Sequence, residues 1–180
     1  MIVGHRITDF QAAANDLAAF KRTPSDLRRY MKWTREILEQ YGSITSYILA
    51  NRLPAEWGQP PFKPNSAVPF ADPSDYKVLL NDWPYALESG ATHLVVWSRS
   101  PIATDGTKGD MTSESRALVE NFVQRYFIDP LGPGGDEKVL WFKNWVALQS
   151  VRSLEHFHVI VRGVDDDMLE RWTGERRKAT

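Results

Sequence analysis

The stretch "EHFHVIV", residues 155–161, constrains this chain more than any other. Successive side chains of a β-strand point to opposite faces, so His156, His158 and Ile160 share one face while Phe157, Val159 and Val161 share the other. The wholly apolar face is the natural core face. The histidine face then either lines a groove or cleft, or is a sheet surface carrying two half-exposed imidazoles. His93 opens a second strand, "HLVVW", so three of the chain's four histidines lie in strands that can be neighbours.

The rest of the pattern supplies a frame for that strand. "YKVLLND", "THLVVWSRS" and "KVLWFKN" are short runs rich in β-branched and aromatic residues and read as further strands. Upstream, Thr23-Pro24 starts a helix with an apolar stripe of Leu27, Tyr30, Met31, Ile37 and Leu38, which Gly42 stops. Ser43 caps a second helix, with Ile44, Tyr47, Ile48 and Leu49 turned inward. Thr112 caps a third, with Leu118, Val119, Phe122, Val123 and Tyr126 on one side, and "DDDMLERW" reads as a short last helix. Residues 54–75 hold six prolines and read as an extended connector draped over the surface. The expectation is one α+β domain over 1–180: a helical part (1–53), the connector (54–75) and a core (76–180) with an antiparallel sheet of four or more strands.

Composition narrows the function classes. A chain of 180 residues with 42% hydrophobic content and seven Trp buries a proper core. It has no cysteine, which removes disulfides and thiolate chemistry. No run is long and apolar enough for a membrane span, and "MIVGHRITDF" lacks the apolar core of a signal peptide, so a cytoplasmic protein without membrane attachment is expected. The net charge of −1 indicates no partner, but residues 21–35 hold six basic side chains against one acid. Arg28, Lys32 and Arg35 follow helical spacing, with Arg22 and Arg29 extending the set. They read either as a solvated helix face or as a track for nucleic-acid phosphates. The acids also carry two readings. Asp165, Asp166 and Asp167 suit a helix N-terminus. Asp166, Asp167 and Glu170 can also share one face, bind an ammonium or guanidinium, and supply a general base.

The order "NDWPY", "THLVVWSR", "WFKNW", "QSV", "HFHVIV" resembles the histidine-triad and galactose-1-phosphate uridylyltransferase superfamily over residues 75–162. The resemblance implies a histidine-triad-like core, with His156 as nucleophile on a nucleotide α-phosphate and His158 as its partner. His93 would line the site, Ser150 and Asn144 would bond phosphate oxygens, and Asn81 would meet the ribose. The family's first histidine, two before the nucleophile, is Leu154 here.

A second resemblance covers nearly the whole chain. "RTPSDLRRYMKW", "DYKVLLNDWPY", "HLVVWSR" and "WFKNWVALQSVRSLEHFHVIV" look like the fungal N-acetylglucosamine-induced protein family, and "DDMLE" looks like the Asp-Asp-x-x-Glu motif of its branch of arginine-containing cyclodipeptide synthases. That resemblance implies an enzyme joining arginine to a second amino acid, with arginyl-tRNA and another aminoacyl-tRNA as substrates and no cofactor or metal. Asp166, Asp167 and Glu170 would orient the arginyl group or accept the amine proton, and His156 and His158 would shuttle protons or carry an acyl group. Asn81, Asp82, Trp83, His93, Asn144 and Ser150 complete the substrate site, and Arg22, Arg28, Arg29, Lys32 and Arg35 form the tRNA track. The alternatives are a nucleotidyl hydrolase or transferase using His156, and a non-catalytic protein that binds a small ligand. A metal held by His93, His156 and His158 stands behind these, because no carboxylate at ligand spacing accompanies them. The second amino acid and the oligomeric state are left open.

Overall fold

The computed structural model describes residues 24–84, 87, 89–106, 110–144, 149 and 151–177. Four strands form one antiparallel sheet: β1 (Tyr76–Leu80), β2 (Ala91–Ser98), β3 (Val139–Phe142) and β4 (Glu155–Arg162), in spatial order β1-β2-β4-β3. The central pair, β2 and β4, is in register along eight residues, with His93 opposite Ile160, Val95 opposite His158 and Trp97 opposite His156. This α+β architecture is the one expected from the alternating strands and the helical periods around them.

Both faces of the sheet are covered. On one, Leu94, Val96, Phe157, Val159 and Val161 are sealed from solvent. They pack with α3 (Ser113–Val123), its π-helical continuation Gln124–Ile128, and α4 (Asp166–Thr173). On the other, Val95 and Trp97 meet Ile48 of α2 (Ile44–Asn51), together with Leu53, Trp57, Val151 and Leu154. Helix α1 (Pro24–Tyr41) packs against α2.

Local signals place the ends of these helices. Gly42 adopts φ 77°, a conformation that an L side chain disfavours, and ends α1. The Ser43 hydroxyl accepts from the Ser46 amide at 2.9 Å. Thr112 accepts from Ser115 N at 3.2 Å, and Asp165 from Met168 N at 2.8 Å. Thr23 lies outside the described residues.

Two expectations need correction. Of the apolar stripe assigned to α1, only Ile37 is buried; Leu27, Met31 and Leu38 are exposed. The inward face is turned toward Tyr30, Trp33 and Tyr41, whose rings contact Trp83 and Tyr47. Aromatic rings bury more area than the aliphatic chains, and they set the rotation of the helix. The proline-rich segment is also more than a surface drape. Its Phe70 reaches the main core, 2% exposed, with its ring 4.9 Å from Phe122 and 5.8 Å from Phe157. Trp57 joins the second cluster. Asp75 anchors the segment: its buried carboxylate accepts from the amides of Asn65 and Ser66, both at 2.8 Å, and from Arg99 at 3.2 Å.

Phe70→Ala should therefore lower unfolding free energy by about 3–5 kcal/mol, the range for removing a buried phenylalanine ring. Urea denaturation followed by circular dichroism measures this. A loss below about 1 kcal/mol would return residues 54–75 to a peripheral role.

Candidate functional site

Register puts the three histidines on one face and close together. His93 and His158 are diagonal neighbours across β2 and β4, with His93 Nε2 3.0 Å from His158 Nδ1. His156 lies edge-on to His158, ring centroids 5.4 Å apart. All three are buried, at 3%, 6% and 7% exposure for His93, His156 and His158, so they are not half-exposed surface residues. Phe142 stacks on His158 at 5.1 Å, and Trp97 lies 4.7 Å from the His156 ring.

Two asparagines expected at the site are there. The Trp83 amide donates to Asn81 Oδ1 at 2.9 Å, which turns the Asn81 NH2 toward His93, 3.2 Å from its ring nitrogens. Asn144 Nδ2 is 3.3 Å from His158 Nε2. Ser150 and Arg22 lie outside the described residues.

A pocket of about 170 Å³ opens on this face. His156, His158, Trp97 and Asn144 line its floor, and Tyr30, Trp33 and Trp83 cover it. Trp33 and Trp83 lie 5.5 Å apart, and Tyr30 is edge-on to Trp83 at 5.9 Å. Sequence reasoning named Trp83 as a site residue, put Tyr30 only in the apolar stripe of α1, and missed Trp33. The spacing of three between Tyr30 and Trp33 on a helix was the available signal, since it puts both rings on one side.

His156 has a defined protonation state. Its Nδ1 lies 2.8 Å from the Leu154 carbonyl, which can only accept, so Nδ1 carries the hydrogen. Burial pushes its pKa down to about 4, and the Lys143 charge acts in the same direction; the Leu154 bond and Glu155 act against them. The ring is therefore neutral near pH 7, with the lone pair on Nε2. Among the described residues, no hydrogen bond engages that Nε2. Lys143 is itself buried and pairs with Glu155 at 3.3 Å.

One rim of the pocket is charged. Arg52 forms an ion pair with Asp82, Nε to Oδ2 3.1 Å, and donates from Nη2 to the Leu80 carbonyl at 2.9 Å and through both terminal nitrogens to Glu175. Burial acts to lower the pKa of this guanidinium, but the Glu175 bond and the Asp82 charge outweigh it and hold it above the ordinary arginine value. Asp82 was expected at the site; Arg52 and Glu175 were not.

The acidic motif is elsewhere. Helix α4 buries Leu169 and Trp172 on the face of the sheet opposite the histidines. The carboxylates of Asp166, Asp167 and Glu170 are exposed and meet the chain's own arginines. Asp166 pairs with Arg177 at 2.5 Å, and Arg176 lies 2.7 Å from Glu170 and 3.7 Å from Asp167. The structure does not bring these acids to the histidine pocket. The basic residues Arg28, Arg29, Lys32 and Arg35 are exposed on α1, with Arg29 paired to Asp26 and Lys32 to Glu36.

The low pKa of His156 links stability to acidity. The unfolded chain takes up this proton near pH 6.5, whereas the folded chain does so only near pH 4. Protonation therefore favours unfolding. The His156 contribution is fully present above about pH 6.5 and falls by about 3 kcal/mol as the pH drops to 4. Urea titrations across this range should show that slope, and His156→Phe should flatten it. An equal slope in the variant would place the sensitivity elsewhere.

Comparison with known proteins places this chain in a family. N-acetylglucosamine-induced protein 1 of Candida albicans is 28% identical over 179 residues, covering 89% of this chain and 68% of the relative. The uncharacterised protein YPL067C of Saccharomyces cerevisiae is 28% identical over 168 residues, covering 93% and 80%. The crystal structure of HTC1 shares the fold, with a TM-score of 0.67 and 24% identity across 85% of this chain and 81% of that one. Among the described residues no helix is long and apolar enough to cross a membrane. Residues 7–162 match the model of DUF3605, a protein of unknown function, and the chain belongs to that family.

Proposed function

We propose that the histidine pocket is the active site of a group-transfer enzyme, with His156 Nε2 as the attacking atom. The observation that carries this reading is the bond from His156 Nδ1 to the Leu154 carbonyl in a buried site, which fixes the neutral tautomer and leaves Nε2 nucleophilic. His158, linked to His93, stands beside it as the proton carrier.

The form we favour is synthesis of an arginine-containing cyclic dipeptide from aminoacyl-tRNAs. Nε2 attacks the ester carbonyl of one aminoacyl-tRNA, the bond to the tRNA 3′ oxygen breaks, and that oxygen takes a proton from the site. The amine of a second aminoacyl group then attacks the acyl-imidazole and displaces His156. The free amine of the resulting dipeptidyl-tRNA then attacks its own ester carbonyl, forming the second amide, and the second tRNA 3′ oxygen leaves as a hydroxyl with that amine's proton. The esters supply the driving force, so the scheme uses no ATP. Helix α1 supports it, since the helix lending Tyr30 and Trp33 to the pocket exposes Arg28, Lys32 and Arg35. A tRNA held along α1 through its phosphates would have its acylated end near the pocket mouth. A second reading, attack on a nucleotide α-phosphate, draws on the same tautomer, with Asn144 as a donor to the phosphate.

Incubation with total aminoacyl-tRNA, followed by mass spectrometry, should yield arginine-containing diketopiperazines that are lost after RNase treatment and in His156→Asn. Asp166→Asn with Glu170→Gln should retain turnover within a few-fold, because those carboxylates face away from the pocket. A loss of tenfold or more would return them to the reaction. Release of a mononucleotide from a nucleoside phosphoramidate, with no cyclic dipeptide, would select the second reading. The absence of both products would defeat the enzymatic assignment.

A further inference from the structure

Glu175 comes from the segment that follows α4, beyond the residues shared with the family model. Gly174, at φ 73°, turns the chain out of the helix. Glu175 then reaches the end of edge strand β1, where its Oε2 accepts from the Leu80 amide at 2.8 Å and its carboxylate grips Arg52. It thus connects α4, which packs on one face of the sheet, to a pocket on the other.

The charges at this point can be counted. Arg52 is the one cationic side chain lining the pocket among the described residues, and it meets two carboxylates, Asp82 and Glu175. Its Nε, Nη1 and Nη2 are all engaged, the last also by the Leu80 carbonyl. Both ion pairs are partly shielded, with side-chain exposures of 17% for Arg52, 29% for Asp82 and 25% for Glu175. A guanidinium so occupied offers little to an incoming anion. Among the described residues, this cluster sets two carboxylates, Asp82 lining the pocket and Glu175 behind Arg52, against one guanidinium, in a pocket also lined by Trp33 and Trp83, and aromatic faces also favour cations.

We propose that Glu175 is a specificity-determining residue: by holding Arg52 it makes the pocket rim negative, so the site takes a cationic or uncharged group and rejects a free carboxylate or phosphate. The consequence for substrates rests on the pocket being an active site; the charge assignment itself does not. Glu175 acts through Arg52 and is a positioning residue, not a catalytic one. Glu175→Gln keeps an oxygen acceptor for the Leu80 amide while removing the charge, so Arg52 becomes available to an anion.

Charged quenchers test this without any substrate. Trp33 and Trp83 line the pocket, so iodide and caesium report the sign of the local potential at constant ionic strength. In the full chain, Glu175→Gln should raise the ratio of iodide to caesium quenching by about twofold or more. Arg52→Gln should lower it, and the double variant should return it toward the parent value. Adding Trp83→Phe to Glu175→Gln should shrink the change, which locates it at the pocket. An unchanged ratio in Glu175→Gln, or shifts of the same sign in both single variants, would overturn the proposal. A protein without transferase activity that still shows the opposite shifts loses only the enzymatic reading. An active enzyme without them loses only the role of Glu175.

Discussion

The eight-residue pairing of β2 with β4 is the constraint on which the rest of the structure depends. Once Trp97 lies opposite His156 and Val95 opposite His158, alternation sends Leu94, Val96, Phe157 and Val159 to the other side. A slip of one residue would exchange the faces, putting imidazoles against α3 and phenylalanine against α2. Neither helix layer could accept that. The α3 side is a cluster of aromatic and aliphatic side chains into which β4 would have to turn two imidazoles, whereas the other side provides Asn81, Asn144 and the Leu154 carbonyl.

Burying three imidazoles is costly unless their nitrogens are engaged. Here much of that cost is offset by the bond between His93 and His158, by the two asparagines, and by the carbonyl two residues before His156. What remains is the lone pair on His156 Nε2, on a ring that lines the pocket together with Tyr30, Trp33 and Trp83. Structure and chemistry meet at that atom. The same burial that keeps the ring neutral also makes the fold sensitive to acid, so stability and nucleophilicity share one cause.

Much of this was legible in the sequence because strand alternation is strictly two-residue and local. The histidine face, the four strands and the caps at Ser43, Thr112 and Asp165 follow from short-range pattern, whereas the placement of Asn81 and Asn144 near the histidines came from the family resemblance. What was not legible depended on contacts between distant segments. The rotation of α1 is set by Trp83 and Tyr47 and not by its own aliphatic stripe. Phe70 is buried because Asp75 and Arg99 pin a proline-rich segment that carries no periodic signal. Arg52 and Glu175, 123 residues apart, meet across a strand edge. The motif at Asp166, Asp167 and Glu170 shows the converse: close in sequence to the histidine strand, it lies on the far side of the sheet, because the chain turns at Gly163 into a helix whose apolar residues belong to the opposite core.

The central claim is that His156 is held as a neutral imidazole with its hydrogen on Nδ1 and its lone pair on Nε2. Nitrogen-15 NMR of histidine-labelled protein measures this directly, because the two ring nitrogens resonate far apart when only one is protonated. Assignment by comparison with His156→Asn should show a protonated Nδ1 and a bare Nε2 at pH 7, unchanged on titration to about pH 5 and moving only toward pH 4. A ring protonated on both nitrogens at pH 7, or one with its hydrogen on Nε2, would contradict the account.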